Sequence, residues 1–236
     1  MRSFEATENM LTRDFRSGRE FFQKLSPAAQ KDFASLQIPM QYPSGKVLFS
    51  EQQAPSGVYL ILDGEVKLSI NSSDGKRLAL RIAHAGEVLG LTSTLSGNPY
   101  EMTAEALHSA RIAPIGRREF LGFLMRNPEA YQIVTEEMSA QFNMACQQLR
   151  TVGLASTAPE KLARLLLEWS ERGQTTEHGT RFRFSLRHEE IGEFIGASRE
   201  TVTRTLTTFK MRGLVAMNGS TLTIPNLSAL ASYARS

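Results

Sequence analysis

Residues Ser185 to Ile224 read SLRHEEIGEFIGASRETVTRTLTTFKMRGLVAMNGSTLTI, and this stretch decides the fold of the C-terminal part of the chain. Apolar residues recur with helical spacing on both sides of Gly196, which predicts two short helices joined by a tight turn. The apolar positions are Ile191, Phe194 and Ile195 before the turn and Val202, Leu206 and Phe209 after it. This arrangement is typical of a helix-turn-helix.

The residues around the turn fit the same motif. Ser198 is a favourable N-cap for the second helix, and Gly192 is small where the two helices must approach closely. After the second helix, two β-prone runs flank Asn218-Gly219, the dipeptide most typical of a two-residue hairpin. We therefore expect a wing after the second helix and double-stranded DNA as the partner.

The second helix has a polar face opposite its apolar stripe. An arginine can fork onto guanine O6 and N7, and a glutamate can accept a hydrogen bond from cytosine N4, so this face has the chemistry to read bases. The residues predicted to contact DNA are Ser198, Arg199, Glu200, Thr203, Arg204, Thr207 and Lys210. The alternative is an ordinary surface helix in which Glu200 and Arg204 form an i,i+4 pair.

The segment EEIGEFIGASRETVTRTL, residues 189–206, resembles the helix-turn-helix of the Crp/Fnr family of bacterial transcription factors. Its Arg-Glu-x-x-x-Arg face, at Arg199, Glu200 and Arg204, is similar to the branch of the cyclic AMP receptor protein. That resemblance implies a TGTGA-like half-site, and it implies RNA polymerase as a further partner. The branch of the fumarate and nitrate reduction regulator lacks the first arginine, so Arg199 argues against that branch's half-site.

Upstream of the predicted helix-turn-helix, between Tyr42 and Ile115, apolar residues alternate with other residues in short runs that predict β-strands. The clearest runs are Val47–Phe49, Val58–Leu62, Val66–Ile70 and Leu78–Ile82. Asp63-Gly64 and Asp74-Gly75 indicate hairpins between strands. Regular short strands predict an antiparallel sandwich or roll, and this region resembles the cyclic-nucleotide-binding β-roll of the same family.

We therefore expect an α+β fold with an N-terminal cyclic-nucleotide-binding-like β-roll, a long dimerisation helix and a C-terminal winged helix-turn-helix. The predicted domains are a sensor roll with N-terminal helices (1–127), a dimerisation helix with a hinge (128–155) and a DNA-binding domain (156–236). Gly153-Leu154-Ala155 is predicted to break the long helix, and Thr157 to Glu160 form a capping box for the next one. A change in the sensor would then move the recognition helices through this hinge.

The long helical segment carries apolar residues that alternate by four and three, as in the seam of a coiled coil. The predicted seam consists of Met138, Phe142, Ala145, Leu149 and Val152. A homodimer follows, because a helix-turn-helix commonly reads palindromes as a dimer. A core helix packed against the roll is the alternative.

The sensor departs from the nucleotide site that the resemblance implies. The arginine that would neutralise a cyclic phosphate corresponds to Tyr100, and the following hydroxyl position corresponds to Glu101. The Gly-Glu pair that would hold the ribose corresponds to Gly90-Leu91, and two helix contacts correspond to Cys146 and Gln147. A buried phosphate beside a carboxylate would be unfavourable, so cyclic AMP is not the expected effector.

A retained pocket would instead accept a small-molecule effector of unknown identity that is neutral, cationic or aromatic. Its expected lining is Leu91, Tyr100, Glu101, Met102, Cys146 and Gln147. A collapsed, ligand-free roll is equally compatible with the sequence. Haem is a third alternative, with His84 and His108 as candidate axial ligands; otherwise no cofactor and no metal are expected.

Composition excludes several other classes of protein. The single cysteine, Cys146, rules out a disulfide framework and is too few for a protein-ligated iron–sulfur cluster. No apolar run is long enough to span a membrane, and the N-terminus lacks the apolar core of a signal peptide, so we expect a cytoplasmic protein. The residues from Ser156 onward contain eleven Lys and Arg against eight Asp and Glu, which suits contact with phosphates.

No catalytic constellation is present, so we do not expect an enzyme. The chain lacks a Walker loop and a Gly-x-Ser-x-Gly motif, and His188-Glu189-Glu190 lacks the second histidine of a zinc helix. The remaining rival is a regulatory module in which a similar roll acts on a protein partner instead of DNA.

Overall fold

The computed structural model describes residues 23–73, 75–154, 157–171 and 173–234, and the side chains of all of these except residues 150–154. They form two compact units. Within those bounds, the first unit contains residues 23–73 and 80–145, and the second contains residues 75–79 and 146–234. Residues 1–22 of the predicted N-terminal helical region lie outside the described residues.

The first unit contains a β-roll made of two four-stranded sheets, with strand orders β1-β8-β3-β6 and β2-β7-β4-β5. The strand pairs β1–β8, β3–β8, β3–β6, β2–β7 and β4–β7 are antiparallel. The strands are β1 (Met40–Tyr42), β2 (Val47–Phe49), β3 (Gly57–Asp63), β4 (Glu65–Asn71), β5 (Arg77–His84), β6 (Val88–Leu89), β7 (Thr103–Ala106) and β8 (Ala110–Gly116). The predicted antiparallel roll is confirmed.

Strand β3 is buried on both faces, whereas its alternating pattern indicated one buried face. Val58 and Leu60 pack into a core shared with helical phenylalanines such as Phe120. Tyr59 and Ile61 point to the opposite side and join the core between the sheets. A strand in the middle of a covered sheet buries both sets of side chains, so strict alternation is not required of it.

Asp63-Gly64 does not form the predicted hairpin, because β3 and β4 belong to different sheets. The dipeptide instead carries the chain from one sheet to the other. Strands β4 and β5 are neighbours in one sheet, as predicted around Asp74-Gly75, although Asp74 itself lies outside the described residues.

Four helices accompany the roll in the described part of the chain: α1 (Pro27–Ser35), α2 (Leu91–Ser96), α3 (Arg117–Arg126) and α4 (Glu129–Leu154). Helix α1 begins at Ser26, whose hydroxyl accepts a hydrogen bond from the Ala29 amide, and its Phe33 ring packs 5.0 Å from the ring of Phe123.

Helix α4 has 26 residues and runs through Gly153 to Leu154. The helix therefore ends within the predicted break Gly153-Leu154-Ala155, although it does not stop at Gly153 itself. A glycine inside a helix costs about 1 kcal/mol relative to alanine, which is too little to end a helix that is otherwise continuous. The predicted hinge includes Ala155, and residues 155–156 lie outside the described residues.

The second unit contains helices α5 (Ala158–Ser170), α6 (His188–Ile195), α7 (Arg199–Met211) and α8 (Leu227–Tyr233). Thr157 caps α5, because its hydroxyl accepts a hydrogen bond from the Glu160 amide at 3.3 Å. Trp169 of α5 lies edge-on to Phe184 and to Phe194, with ring centroids 5.4 Å and 5.6 Å apart. This aromatic group joins α5 to the helix-turn-helix.

The second unit also contains a four-stranded sheet with the order β11-β12-β10-β9. Its strands are β9 (Gln174–Thr176), β10 (Gly179–Arg183), β11 (Ala216–Asn218) and β12 (Thr221–Ile224). The hairpin at Asn218-Gly219 is confirmed, since Asn218 pairs with Thr221 across the turn. Strands β9 and β10 were not predicted. We call the whole four-stranded sheet the wing sheet.

Candidate nucleic-acid interface and effector pocket

The turn between α6 and α7 is built by two glycines. Gly196 ends α6 with φ +62°, in the left-handed region that glycine adopts most readily. A Cβ on Gly192 would lie 2.5 Å from the Ala197 carbonyl oxygen, so only glycine allows this close approach. The predicted roles of both residues are confirmed.

Helix α7 separates a buried face from an exposed one. The Ser198 hydroxyl accepts a hydrogen bond from the Thr201 amide at 3.3 Å, which confirms the predicted N-cap. Val202, Leu206 and Phe209 are almost fully buried. All seven residues predicted to contact DNA are exposed, namely Ser198, Arg199, Glu200, Thr203, Arg204, Thr207 and Lys210. They form one polar surface on a rigid helix.

The charges on this surface stay available for a partner. The pKa of Glu200 lies below its ordinary value because the carboxylate accepts hydrogen bonds from its own backbone N–H and from Ser198, helped by the charges of Arg199 and Arg204. Glu200 is therefore an ionised acceptor at neutral pH. No ion pair within 4.0 Å joins Glu200 and Arg204 among the described side chains, in contrast to the alternative of an i,i+4 pair.

The hydroxyl groups of α7 are fixed by its own backbone. Thr203 and Thr207 donate to the carbonyl oxygens of Arg199 and Thr203, each at 2.9 Å. Thr205 and Thr208 make the same bond one turn back, at 2.8 Å and 3.0 Å. Such bonds hold each threonine in one rotamer.

His188 at the start of α6 also reaches this surface, with its Nδ1 2.8 Å from Thr203 Oγ1. The Thr203 hydroxyl also lies 2.9 Å from the Arg199 carbonyl oxygen, so Thr203 connects the imidazole of His188 to the backbone of α7. No sequence pattern predicts this contact, because the two residues meet only when α6 and α7 cross.

Both halves of the chain match models of known protein domains. Residues 160–233 match the model of the Crp-like helix-turn-helix domain, and residues 39–127 match the model of the cyclic nucleotide-binding domain. The chain belongs to the Crp/Fnr family of transcription regulators. This Crp/Fnr chain therefore combines a roll of the cyclic-nucleotide-binding type with a DNA-binding helix-turn-helix, as the sequence predicted.

Individual relatives cover most of the chain. The "CRP-like cAMP-activated global transcriptional regulator" of Mycobacterium tuberculosis strain H37Rv is 26% identical over 215 residues, which is 91% of this chain and 96% of the relative. The "Transcriptional activatory protein AadR" of Rhodopseudomonas palustris is 27% identical over 195 residues, covering 82% and 80%. The structure of FixK2 from Bradyrhizobium japonicum superposes with a TM-score of 0.73 at 21% identity, covering 84% of this chain and 96% of FixK2.

The roll of this Crp/Fnr chain encloses a cavity of about 30 Å³. The predicted residues Leu91, Glu101 and Met102 line it. Further lining residues that the sequence did not single out are Phe49, Leu68, Leu89, Gly90, Thr92 and Gln141. A cavity of this size holds about one or two water molecules. No arginine or lysine contributes to the lining, so the cavity carries no positive charge for a phosphate.

Tyr100 does not line the cavity as predicted. Its side chain is 1% exposed and stacks on Phe49 with ring centroids 4.1 Å apart. Its hydroxyl accepts hydrogen bonds from the amides of Ser56 and Gly57 at 3.1 Å and donates to the Gly57 carbonyl at 2.6 Å. The aromatic ring is drawn into the core because its hydroxyl finds these backbone partners there. Tyr100 is a core residue.

Two carboxylates near the cavity already have partners. Glu101 accepts a hydrogen bond from the buried hydroxyl of Ser93 at 2.8 Å. Glu87 is buried against Arg81 and accepts a hydrogen bond from the His84 amide at 2.8 Å. Cys146 is half-buried and Gln147 is exposed, and neither is among the cavity-lining residues of the described chain.

Helix α4 is tied to the roll by a glutamine. The Gln141 amide donates to the Val88 carbonyl oxygen at 3.2 Å and to Glu137 at 3.1 Å. Burial raises the pKa of the Glu137 carboxyl, and the charge of nearby Glu87 raises it further. The cavity wall and α4 therefore share one polar contact that contains a buried carboxyl group.

The two histidines considered for haem lie beside Glu65. His84 Nδ1 is 3.6 Å from Glu65 Oε1, and His108 Nε2 is 3.9 Å from Glu65 Oε2. Neither histidine lines the cavity. The described residues contain no group of three or more His, Cys, Asp or Glu side chains arranged to hold a metal. Within the same part of the chain, no helix is long and apolar enough to cross a membrane.

Some residues of the predicted dimer seam are exposed to solvent and others are partly buried. Phe142 and Leu149, seven residues apart on α4, have 68% and 62% of their surface exposed. Met138 is partly buried against the core of the roll, and Ala145 is half-buried. The side chain of Val152 lies outside the described residues.

Proposed function

We propose that this chain acts as a homodimer that reads a palindromic, TGTGA-like site, one half-site for each recognition helix. The exposed surface of α7 carries the proposal. Arg199 and Arg204 have no carboxylate partner within 4.0 Å among the described residues and flank an ionised Glu200. Arginine can donate two hydrogen bonds to guanine O6 and N7, and glutamate can accept one from cytosine N4. These contacts match the G·C pairs of a TGTGA-like half-site.

The homodimer is supported by the exposed apolar side chains of α4. Phe142 and Leu149 repeat at a heptad interval, so they face the same side of the helix. Burying a large apolar side chain contributes about 1.5–3 kcal/mol, which favours pairing of two such helices. A two-fold dimer presents its recognition helices to two half-sites about one helical turn of DNA apart.

The sensor of this dimer responds to a ligand other than cyclic AMP, or to none. The lining residues Glu101 and Gln141 offer a carboxylate and an amide, and Tyr100 is committed to the core. A cyclic phosphate would meet a carboxylate without a basic partner, which is unfavourable in a buried site. We accordingly expect neither cyclic AMP nor haem as a cofactor, and a regulatory rather than a catalytic role that includes contact with RNA polymerase.

A band-shift assay tests the proposed site. A duplex with a TGTGA palindrome should bind the full chain at least about a thousandfold more tightly than random DNA of equal length, the lower end for specific binders. Changing one base pair in each half-site should cost about 1–3 kcal/mol per position. Equal affinity for the palindrome and for random DNA would refute base reading by α7. The native mass of the free protein decides between one and two chains.

A further inference from the structure

His188 and Thr203 form a contact between the two helices of the helix-turn-helix. His188 is the first residue of α6, and its Nδ1 lies 2.8 Å from the Thr203 hydroxyl oxygen on α7. The same hydroxyl lies 2.9 Å from the Arg199 carbonyl oxygen. The Thr203 hydroxyl is therefore held on two sides, once by its own helix and once by the helix before it.

The backbone on both sides of α6 is fixed. The buried Glu190 carboxylate accepts a hydrogen bond from the Arg187 amide at 2.7 Å, which satisfies a backbone donor at the start of the helix. At the other end, the close approach of Gly192 to the Ala197 carbonyl oxygen sets the crossing with α7. The His188 imidazole thus extends towards α7 from a defined position.

The two neighbours of the Thr203 hydroxyl limit what this side chain can offer to a base. A hydroxyl group has one hydrogen to donate, and here that hydrogen is used inside the protein, whichever neighbour accepts it. It is then not available to the purine N7, guanine O6 or thymine O4 acceptors of the major groove. Thr203 is nevertheless exposed on α7, so its methyl group is the main feature left for a base.

We propose that His188 is a positioning residue for base reading and that Thr203, held in this way, contacts the C5-methyl group of a thymine in the half-site. Thymine is the only one of the four bases that presents a methyl group in the major groove, and a threonine methyl group can contact it. Thr203 directly precedes Arg204 on the same exposed surface. An apolar contact would thus stand beside the hydrogen-bonding groups of Glu200 and Arg204. The inference rests on the proposed function, because it adds one base contact to the same helix.

Replacing thymine by uracil tests the proposed contact, because uracil lacks the methyl group and keeps the base pairing. Each thymine of the TGTGA half-site, on either strand, is replaced in turn, and band shifts of the full chain are recorded at fixed salt and pH. At one position, affinity should fall about fourfold for each substituted half-site, which corresponds to about 0.8 kcal/mol for one methyl group. T203S keeps the hydroxyl and removes the methyl group, so it should bind the thymine and uracil duplexes equally.

Two variants of His188 test its role on the same pair of duplexes. H188A should lower the ratio of thymine to uracil affinity, because the Thr203 hydroxyl loses one of its two neighbours. H188N should restore the ratio, because its amide nitrogen can take the place of the imidazole Nδ1. The control is T208S, which alters a threonine of α7 whose hydroxyl donates to the Arg204 carbonyl at 3.0 Å and which is not among the predicted DNA contacts. It should leave the ratio as it is.

The outcomes that contradict the proposal are distinct. A ratio of one at every thymine for the unsubstituted chain, or a ratio that survives T203S, would overturn the contact with thymine. An unchanged ratio for H188A would overturn the positioning role of His188. Equal losses for H188A on the palindrome and on random DNA would also overturn it and would assign His188 to phosphate. Failure of the unsubstituted chain to prefer the palindrome would instead refute the proposed function.

Discussion

Arg204 and Lys210 are expected to make two different kinds of DNA contact from one helix. Both are exposed on α7, but Arg204 lies one turn after the ionised Glu200, whereas Lys210 belongs to the last turn. A planar guanidinium can bond two atoms of one base, while an ammonium acts as a point charge. We therefore assign base reading to Arg204 and backbone contact to Lys210.

Substituting Arg204 by alanine should weaken binding to the palindrome by about 1–3 kcal/mol, the usual contribution of a bidentate base contact. Binding to random DNA should change little. Lys210→Ala is the matched control and should weaken binding to both duplexes by the same factor. Quantitative band shifts at fixed salt measure both effects, and equal losses for Arg204→Ala on the two duplexes would assign Arg204 to phosphate.

Tyr100→Phe tests the core role that the structure gives to Tyr100. The variant keeps the ring stacked on Phe49 but removes the hydroxyl that serves the amides of Ser56 and Gly57. Leaving buried backbone groups unsatisfied costs about 1–3 kcal/mol of unfolding free energy. Urea denaturation measures this loss, and Tyr131→Phe on the exposed surface of α4 should show none. An unchanged stability for Tyr100→Phe would contradict the core assignment.

At the scale of elements, α4 joins two functions, since one side packs on the roll and another exposes apolar residues. Phe142→Asp should convert the proposed dimer to monomers because a charge at the predicted seam opposes burial. The neighbouring exposed residue provides a control, and Asn143→Asp should keep the dimer. Sedimentation velocity distinguishes the two states. A dimeric Phe142→Asp variant would place the dimer contact elsewhere.

We expect Glu137 to make the packing of α4 on the roll sensitive to pH. Its folded-state pKa is raised by burial, so its contribution to stability is present below the ordinary pKa of glutamate and is lost as pH rises through the raised value. Glu137→Gln should remove this loss, and its advantage over the unsubstituted chain should grow as pH rises. Urea denaturation across a pH series measures the difference.

The adjacent Glu136 gives an opposite control. Lys24 and Gln132 lower the pKa of Glu136 through hydrogen bonds, so its contribution is present above the ordinary pKa and is lost as pH falls. Glu136→Gln should therefore lose a little stability at neutral pH. A stability difference for Glu137→Gln that does not depend on pH would show that this carboxyl does not titrate in the folded chain.

Elements with strong local signals could be predicted from the sequence, and elements set by distant contacts could not. The helix-turn-helix was predictable because Gly196, Ser198 and the apolar spacing act within a few residues. Strands β9 and β10 were missed because Gln174–Thr176 is short and polar and gains its order by pairing with β10. The role of Asp63-Gly64 was misread because a dipeptide does not reveal which sheet its second strand joins.

The candidate site was likewise only partly predictable from the sequence. The exposed positions of α7 follow from helical periodicity alone. The contact of His188 with Thr203 and the burial of Tyr100 depend on how separate segments meet. Alignment with the family pattern placed Tyr100 at the phosphate-binding position, whereas the available backbone partners of its hydroxyl drew it into the core.

At the scale of the whole molecule, our proposal is that the helix-turn-helix keeps the base-reading residues of its family while the sensor has lost the cyclic AMP contacts. We therefore expect a saturating concentration of cyclic AMP to leave both the melting temperature and the DNA affinity unchanged. A ligand present at a hundred times its Kd would stabilise the folded chain by about 2.7 kcal/mol, which a thermal melt detects readily. A clear rise in melting temperature with cyclic AMP would contradict the proposed loss of this site.

The threonine hydroxyls of α7 have a thermodynamic consequence for association with DNA. Because Thr203, Thr205, Thr207 and Thr208 already donate to helix carbonyls, their rotamers are ordered before any duplex arrives. Immobilising a side chain at an interface normally costs about 0.5–1.5 kcal/mol for long, flexible residues. Of these residues, Thr203 and Thr207 belong to the exposed polar surface, so the proposed DNA-binding surface avoids much of that entropy loss at these two positions. In the proposed complex, α7 would therefore present to the major groove threonine side chains whose rotamers are already set.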